Sequence, residues 1–218
     1  ARNMFINNSA QSNGGIAFEI LDAIGNNSFI NNTVWGITGT YGFWIEGQTS
    51  NFTGNNVTNP SYVSGDSAFY VPNGNNRATT FNTFTNNFVF NVGTGFNLRS
   101  AGNTFPLSKY SVINNTVQSS NNGILTSSGG LDTETSIRDS IFENNTVINA
   151  LNAAFNIGDY HLLTNFTNNK VYNAVYGFYF VRASFSRFIN NSAYNTTGGN
   201  SSFTFVTNSV ENDIINNS

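Results

Sequence analysis

One phrase recurs along this chain from end to end: an apolar residue, two spacers, an asparagine, one spacer, then valine or alanine. It reads FINNTV at 29–34, FENNTV at 142–147, FTNNKV at 166–171 and FINNSA at 188–193. The asparagine falls at Asn8, Asn32, Asn55, Asn87, Asn115, Asn145, Asn169, Asn191 and Asn217, 22–32 residues apart. Self-similarity at that period marks a solenoid, whose units bury their apolar faces only against one another.

Within a unit the pattern is F-x-x-N-x-V-x-N, as in Phe142, Asn145, Val147 and Asn149. The Asn-x-Val step has period two, so both side chains share one face of a strand. A second strand follows 7–12 residues later as AFEI, GFWI, AFYV, GFNL, AFNI or GFYF, with Phe18, Phe43, Phe69, Phe96, Phe155, Phe178 and Phe203 facing inward and Ile124 in the fifth unit. The small residue ahead of each Phe suggests a tight corner. Short strands without helical periodicity exclude a two-helix repeat. They predict an all-β fold, a right-handed parallel β-helix (β-solenoid) of about nine coils, stacked about 4.8 Å apart. Such stacking gives the asparagine a role as an internal ladder, since its amide both donates and accepts along the stack. Gln is too long, and stacked Asp charges would repel. The Phe residues form a parallel stack inside. With the repeat running throughout, residues 1–218 read as a single domain.

Composition supports folding and narrows function. Forty-two Asn would suit a disordered polar chain, but 21 Phe, 9 Tyr and 2 Trp would not. There is no Cys and one His, which removes disulfides, thiolate sites and His-rich metal centres. Only 9% of residues are charged, with net charge −3, so the clustered cations of a nucleic-acid binder are missing. No apolar run reaches the roughly 18–20 residues of a membrane span. The expectation is no metal, no cofactor, no nucleic acid and no membrane span in this chain.

The N-T-F-x-N-N-x-V phrase at 82–89, followed by G-F-x-[IL] at 42–45 and 95–98, resembles the Asn-rich parallel β-helix repeats of the pectin-lyase-like superfamily, nearest its NosD-type and carbohydrate-binding branch. The resemblance covers essentially the whole chain and implies the fold. It implies less about activity, because the architecture serves lyases, hydrolases, adhesins and surface proteins alike. Enzymes of this type cluster acids on neighbouring coils, with Ca²⁺ and an Arg or Lys base, or as a general acid and base. Here the nearest approach is Glu19 with Glu46, on adjacent coils but offset by two residues, roughly 8 Å apart by strand geometry, with Arg99 nearby. Two solvent-facing carboxylates are the simpler reading. The copper handling linked to NosD proteins is not carried over, because the Cys, His and Met ligands are missing.

Binding candidates come from register. Glu19, Trp44, Tyr70, Asn97, Leu125, Asn156, Tyr179 and Thr204 should form one outward column. Trp44 and Tyr70, with Tyr179 further along and Arg99 beside them, read either as a stacking platform for sugar rings or as aromatics packed under loops or in a subunit contact. Three consecutive coils carry insertions, roughly 72–83, 100–111 and 127–140, with Arg77, Lys109, Asp132, Glu134, Arg138 and Asp139 in them. Insertions stacked on one edge are often where a repeat protein binds, although solvated loops would look the same. Asp159 and Arg182 read as a cross-coil ion pair. His161, placed at a turn with no nucleophile beside it, reads as structural.

Twelve N-x-[ST] sequons occur, and the acceptors Asn7, Asn31, Asn114, Asn144, Asn190 and Asn216 directly precede a ladder Asn. They should point outward and are the candidate glycosylation sites. The chain starts and stops within a coil, without capping segments, which implies a fragment of a larger surface protein or an end-to-end polymerising unit. The functional expectation is a secreted or cell-surface structural and adhesive module, contacting glycans, neighbouring surface proteins or itself. The alternative is a pectin-lyase-like polysaccharide lyase or glycoside hydrolase.

Overall fold

The computed structural model describes residues 3–218 apart from 13, 22–23, 47, 61–63, 73–79, 100–106, 128–135, 159–160, 199–201, 207–208 and 210. Among the described residues there is no helix, and the strands stack in parallel as a β-solenoid with three faces. The first face carries the recurring Phe in strands such as Gln48–Thr53, Thr80–Thr85 and Leu107–Ile113. The second carries the Asn-x-Val step, as in Thr33–Trp35 and Asn56–Thr58. The third holds the second inward Phe, as in Tyr41–Ile45, Ser67–Val71 and Thr94–Arg99. In two later coils the second and third faces run together as the twelve-residue strands Thr146–Ile157 and Lys170–Val181.

The coil count is slightly lower than the nine expected. Among the described residues nine strands follow one another along the first face, but the outermost, Met4–Ile6 and Asp213–Ile215, are exposed along their length. That leaves about seven turns with a neighbour on each side.

The ladder is a continuous column of amides. Asn55 shows the pattern: its Oδ1 accepts from the Asn32 backbone N–H at 2.9 Å and from Asn32 Nδ2 at 3.0 Å. Its own Nδ2 donates to Asn87 Oδ1 at 3.0 Å and to the Phe29 carbonyl at 3.0 Å. The same set recurs through Asn87, Asn115, Asn145, Asn169 and Asn191. Each interior ladder amide thus fills both donors and accepts twice, so a buried polar side chain leaves nothing unpaired. An Asp could not donate at all.

A second polar column lies two residues before each first-face Phe, through buried Asn27, Ser50, Asn82, Tyr110, Ser140, Thr164 and Ser186. Several members accept from the backbone of the coil before: Ser50 N–H donates to Asn82 Oδ1 at 2.9 Å, Tyr110 N–H to Ser140 Oγ at 2.9 Å, and Ser186 N–H to Asn212 Oδ1 at 3.0 Å.

The interior is built from two Phe columns. Phe29, Phe52 and Phe84 stack at 5.0 and 5.1 Å, and Phe43, Phe69 and Phe96 at 4.8 and 4.9 Å. The columns meet edge to face, as Phe29 and Phe43 do at 5.8 Å and 85°, an arrangement the ring quadrupoles favour. Both columns break at the same coil, where Val112 and Ile124 replace Phe and Tyr110 joins the core.

The Asn doublet has a backbone cause. Asn7, Asn31, Asn86, Asn114, Asn144, Asn168, Asn190 and Asn216 all take φ of 50–56°, the left-handed turn between first and second faces. Asn tolerates that conformation better than other side chains. The third coil uses Gly54 there, at φ 65°, and a Cβ on it would lie 2.4 Å from Asn31 Oδ1.

Most of the small residues ahead of the third-face Phe do not make corners, as the sequence suggested: Gly42, Ala68, Gly95, Gly123, Ala154 and Gly177 lie within strands, while Ala17 and Ser202 sit at bends just ahead of theirs. A Cβ on Gly95 would sit 2.6 Å from the Gly123 carbonyl and 2.8 Å from both Val117 methyls. Close packing of the third face on second-face valines selects them. His161 also departs from its expected turn: it opens the short strand His161–Leu162, paired to Ile137 and Ala183, and is fully buried.

Candidate binding face

The third face presents the column expected from register. Glu19 pairs with Trp44, Trp44 with Tyr70, Tyr70 with Asn97, and the alignment continues through Leu125, Asn156, Tyr179 and Thr204. The strands hold these side chains about 4.8 Å apart from coil to coil.

Tyr70 is the anchor of this patch rather than its surface. Its ring is 7% exposed. Tyr41, from the coil before, stacks on it at 4.3 Å, and the Arg99 guanidinium, from the coil after, lies over it at 5.2 Å. A ring with a neighbour on each face has none to offer a sugar. Burial pushes the Tyr70 phenol up, with Arg99 drawing it back down.

Trp44 is half-buried, braced by Tyr41 at 4.9 Å and by Tyr70 at 4.8 Å. Its indole Nε1 donates to Glu46 Oε1 at 3.0 Å, which fixes the ring and carboxylate together. Arg99 Nε is 3.4 Å from Asn97 Oδ1, and the Arg99 carbonyl accepts from the Tyr110 hydroxyl. Trp44, Glu46 and Arg99 therefore form a patch with one aromatic plane, one carboxylate and one guanidinium. Tyr41 belongs to it too. Sequence reasoning missed that residue because its position two before Phe43 puts it, by simple alternation, on the inward side of the strand and away from Trp44.

The other candidates lie apart. Glu19 is exposed and opposite Trp44, so its two-residue offset from Glu46 stands. Among the described residues no three of His, Asp, Glu and Cys gather as a metal-binding group. Tyr179 sits five coils from Trp44, near Tyr176 at 5.8 Å, and shares no contact with the patch. Lys109 and Asp139 form an ion pair at 3.0 Å. Most of each insertion, with Arg77, Asp132 and Glu134, lies outside the described residues, as does Asp159 and hence its pairing with Arg182. The six sequon acceptors Asn7, Asn31, Asn114, Asn144, Asn190 and Asn216 are exposed at the left-handed turn. No described helix is long and apolar enough to cross a membrane.

Comparison with protein-family models, with curated proteins and with solved structures gave no match.

Proposed function

We propose that this chain is a structural and adhesive β-solenoid module of pectin-lyase-like architecture, displayed outside the cell, which holds glycans at Trp44, Glu46 and Arg99. The braced Trp44 ring with the Glu46 carboxylate fixed to it carries this reading. A sugar ring offers a C–H face that packs on an aromatic plane and hydroxyls that pair with a carboxylate and a guanidinium. Tyr41 and Tyr70 hold the plane in place before any ligand arrives, which lowers the ordering cost of binding. Low charge and the exposed sequon turns agree with an extracellular surface in contact with glycans.

The test is calorimetric titration against a panel of neutral and acidic oligosaccharides. Trp44→Ala should weaken binding at least about tenfold, the scale of losing one well-packed aromatic contact, while Tyr179→Ala should leave it unchanged. Equal affinity of Trp44→Ala and the parent would sink the reading. Release of reducing ends or unsaturated products from any panel member, abolished in Glu46→Gln, would replace it with the enzymatic alternative.

A further inference from the structure

The leading edge of the first face presents one residue per coil, three positions ahead of the first-face inward residue, within the strand in the earlier coils and at the turn just before it from Asp139 onward. In order along the axis these include Thr49, Phe81, Lys109, Asp139, Leu163 and Phe185. Phe81 is paired in register with Lys109. Lys109 Nζ lies 3.0 Å from Asp139 Oδ2, and the Asp139 and Leu163 amides donate to the Leu162 and Ser184 carbonyls of the coils that follow.

This edge breaks the rule that the others keep. Elsewhere the left-handed turn positions hold Asn or Gly with few exceptions. Here Thr49, Asp139, Leu163 and Phe185 take φ of 48–53°. For branched or bulky side chains that conformation costs roughly 1–2 kcal/mol each. The side chains do not enter the core in return: Phe81, Leu163 and Phe185 are each 47% exposed. Leu163 and Phe185 thus carry the cost of the turn without burial, while Phe81 and Asp139 hold Lys109 between them, its Nζ 5.8 Å from the Phe81 ring centre.

The order of the residues says what would cover them. Read along the axis, the edge is apolar, cationic, anionic, apolar: Phe81, Lys109, Asp139, Leu163. Rotation by half a turn about an axis between the Lys109 and Asp139 coils maps this pattern onto its complement. We propose that this edge is the contact of a side-by-side antiparallel homodimer. Lys109 then faces Asp139 of the second copy and Asp139 faces Lys109, while Phe81 packs on Leu163 and Leu163 on Phe81. Two copies share one coil spacing, so the pairing does not drift out of register. The interface is isologous and closes at two chains. A parallel arrangement would instead set Lys109 against Lys109. The surface shares no residue with the Trp44 patch and stands without the glycan reading.

Sedimentation velocity on the whole chain tests this. The parent should be dimeric at about 100 µM, a concentration that reveals even micromolar affinities. Lys109→Glu should be monomeric, because two acidic pairs meet, and Asp139→Lys should be monomeric, because two basic pairs meet. An equimolar mixture of the two variants should dimerise again, since acidic edge then faces basic edge. The intramolecular ion pair is lost in both variants and cannot produce that rescue. Phe185→Asn and Leu163→Asn, which relieve the turn, should weaken the dimer at least tenfold while keeping the folded far-ultraviolet spectrum. A monomeric parent, a mixture that stays monomeric, or a dimer indifferent to both charge reversals would each overturn the proposal.

Discussion

Asn115 donates its side-chain amide to Asn145 Oδ1 at 3.0 Å, across thirty residues of chain and one step of the solenoid. Its other hydrogen meets the Phe84 carbonyl at 2.9 Å. Asn115→Asp removes both side-chain donors and buries a charge, so the Phe84 carbonyl loses this bond and Asn145 Oδ1 keeps only the Asn115 backbone N–H. The expected loss is about 3 kcal/mol or more, from the cost of unpaired buried groups. Asn173, which donates to Asn149 Oδ1 at 3.0 Å on the exposed surface, is the control. Asn173→Asp should stay within about 0.5 kcal/mol. Denaturant midpoints that move equally for both would remove the ladder's energetic role.

Close packing of the third face on the second predicts a sharp contrast between glycines. A Cβ on Gly123 would lie 2.5 Å from the Ala154 carbonyl and 2.6 and 2.7 Å from the Val147 methyls. Gly123→Ala should therefore cost about 1–3 kcal/mol, the range for overpacked cores. Gly15, with nothing within 4 Å of its Cβ position, should accept Ala almost freely. Thermal melts of the two variants decide the matter, and a stable Gly123→Ala would mean that the faces can separate.

The left-handed corner residues give the opposite sign. Leu163 sits at φ 53° and is 47% exposed. Leu163→Asn should stabilise the isolated subunit by about 1 kcal/mol. In a chain of this size that raises the melting temperature by about 2–4 °C. A lower melting temperature at a concentration where the protein is monomeric would contradict the strain.

Acid should weaken this protein through His161. The ring is buried, its Nε2 lies 2.7 Å from Thr126 Oγ1, and Nδ1 has no hydrogen-bond partner. Burial pushes its pKa down to about 3 from an ordinary 6.5. Between those values the unfolded chain holds the extra proton, so stability is complete above the ordinary value and declines as pH falls toward the depressed one. The total is on the order of a few kcal/mol. Asp66 acts in the opposite sense: burial raises its carboxyl, against hydrogen bonds from Gly39, Thr40 and Asn59, so its folded form keeps a proton longer and loses stability as pH rises past the usual carboxylate range. His161→Phe should flatten the urea-midpoint profile over the histidine window while leaving the carboxylate region as it was. An unchanged slope there would exclude His161 as the source.

What the sequence made legible was whatever kept one residue type in one place. Nine asparagines and two sets of Phe specify the ladder, the stacks and the register, and the outward column from Glu19 to Thr204 follows from period two alone. The second polar column stayed hidden because Asn27, Ser50, Tyr110 and Thr164 share a buried location but no chemical name. The Asn doublet was visible, yet its cause is a backbone angle that spacing does not encode. At the candidate site, the sequence put Trp44, Glu46 and Arg99 near one another. It could not say that Tyr41 and Arg99 cover both faces of Tyr70, because that depends on how side chains from three coils divide one small volume. His161 looked like a turn residue because Gly158 and Asp159 lead into it, while its own strand is defined only by pairing to Ile137 and Ala183.

The ladder amides all point the same way. Each interior Asn donates from its backbone and side chain to the Asn of the later coil and receives both bonds from the earlier one. Every coil is therefore a plug on one edge and a socket on the other. Removing the stretch from one ladder Asn to the next would set Asn115 against Asn169 and leave the column chemically intact, and copying that stretch would do the same. Length is a free parameter of such a chain, direction is not, and a coil inserted backwards would meet donors with donors.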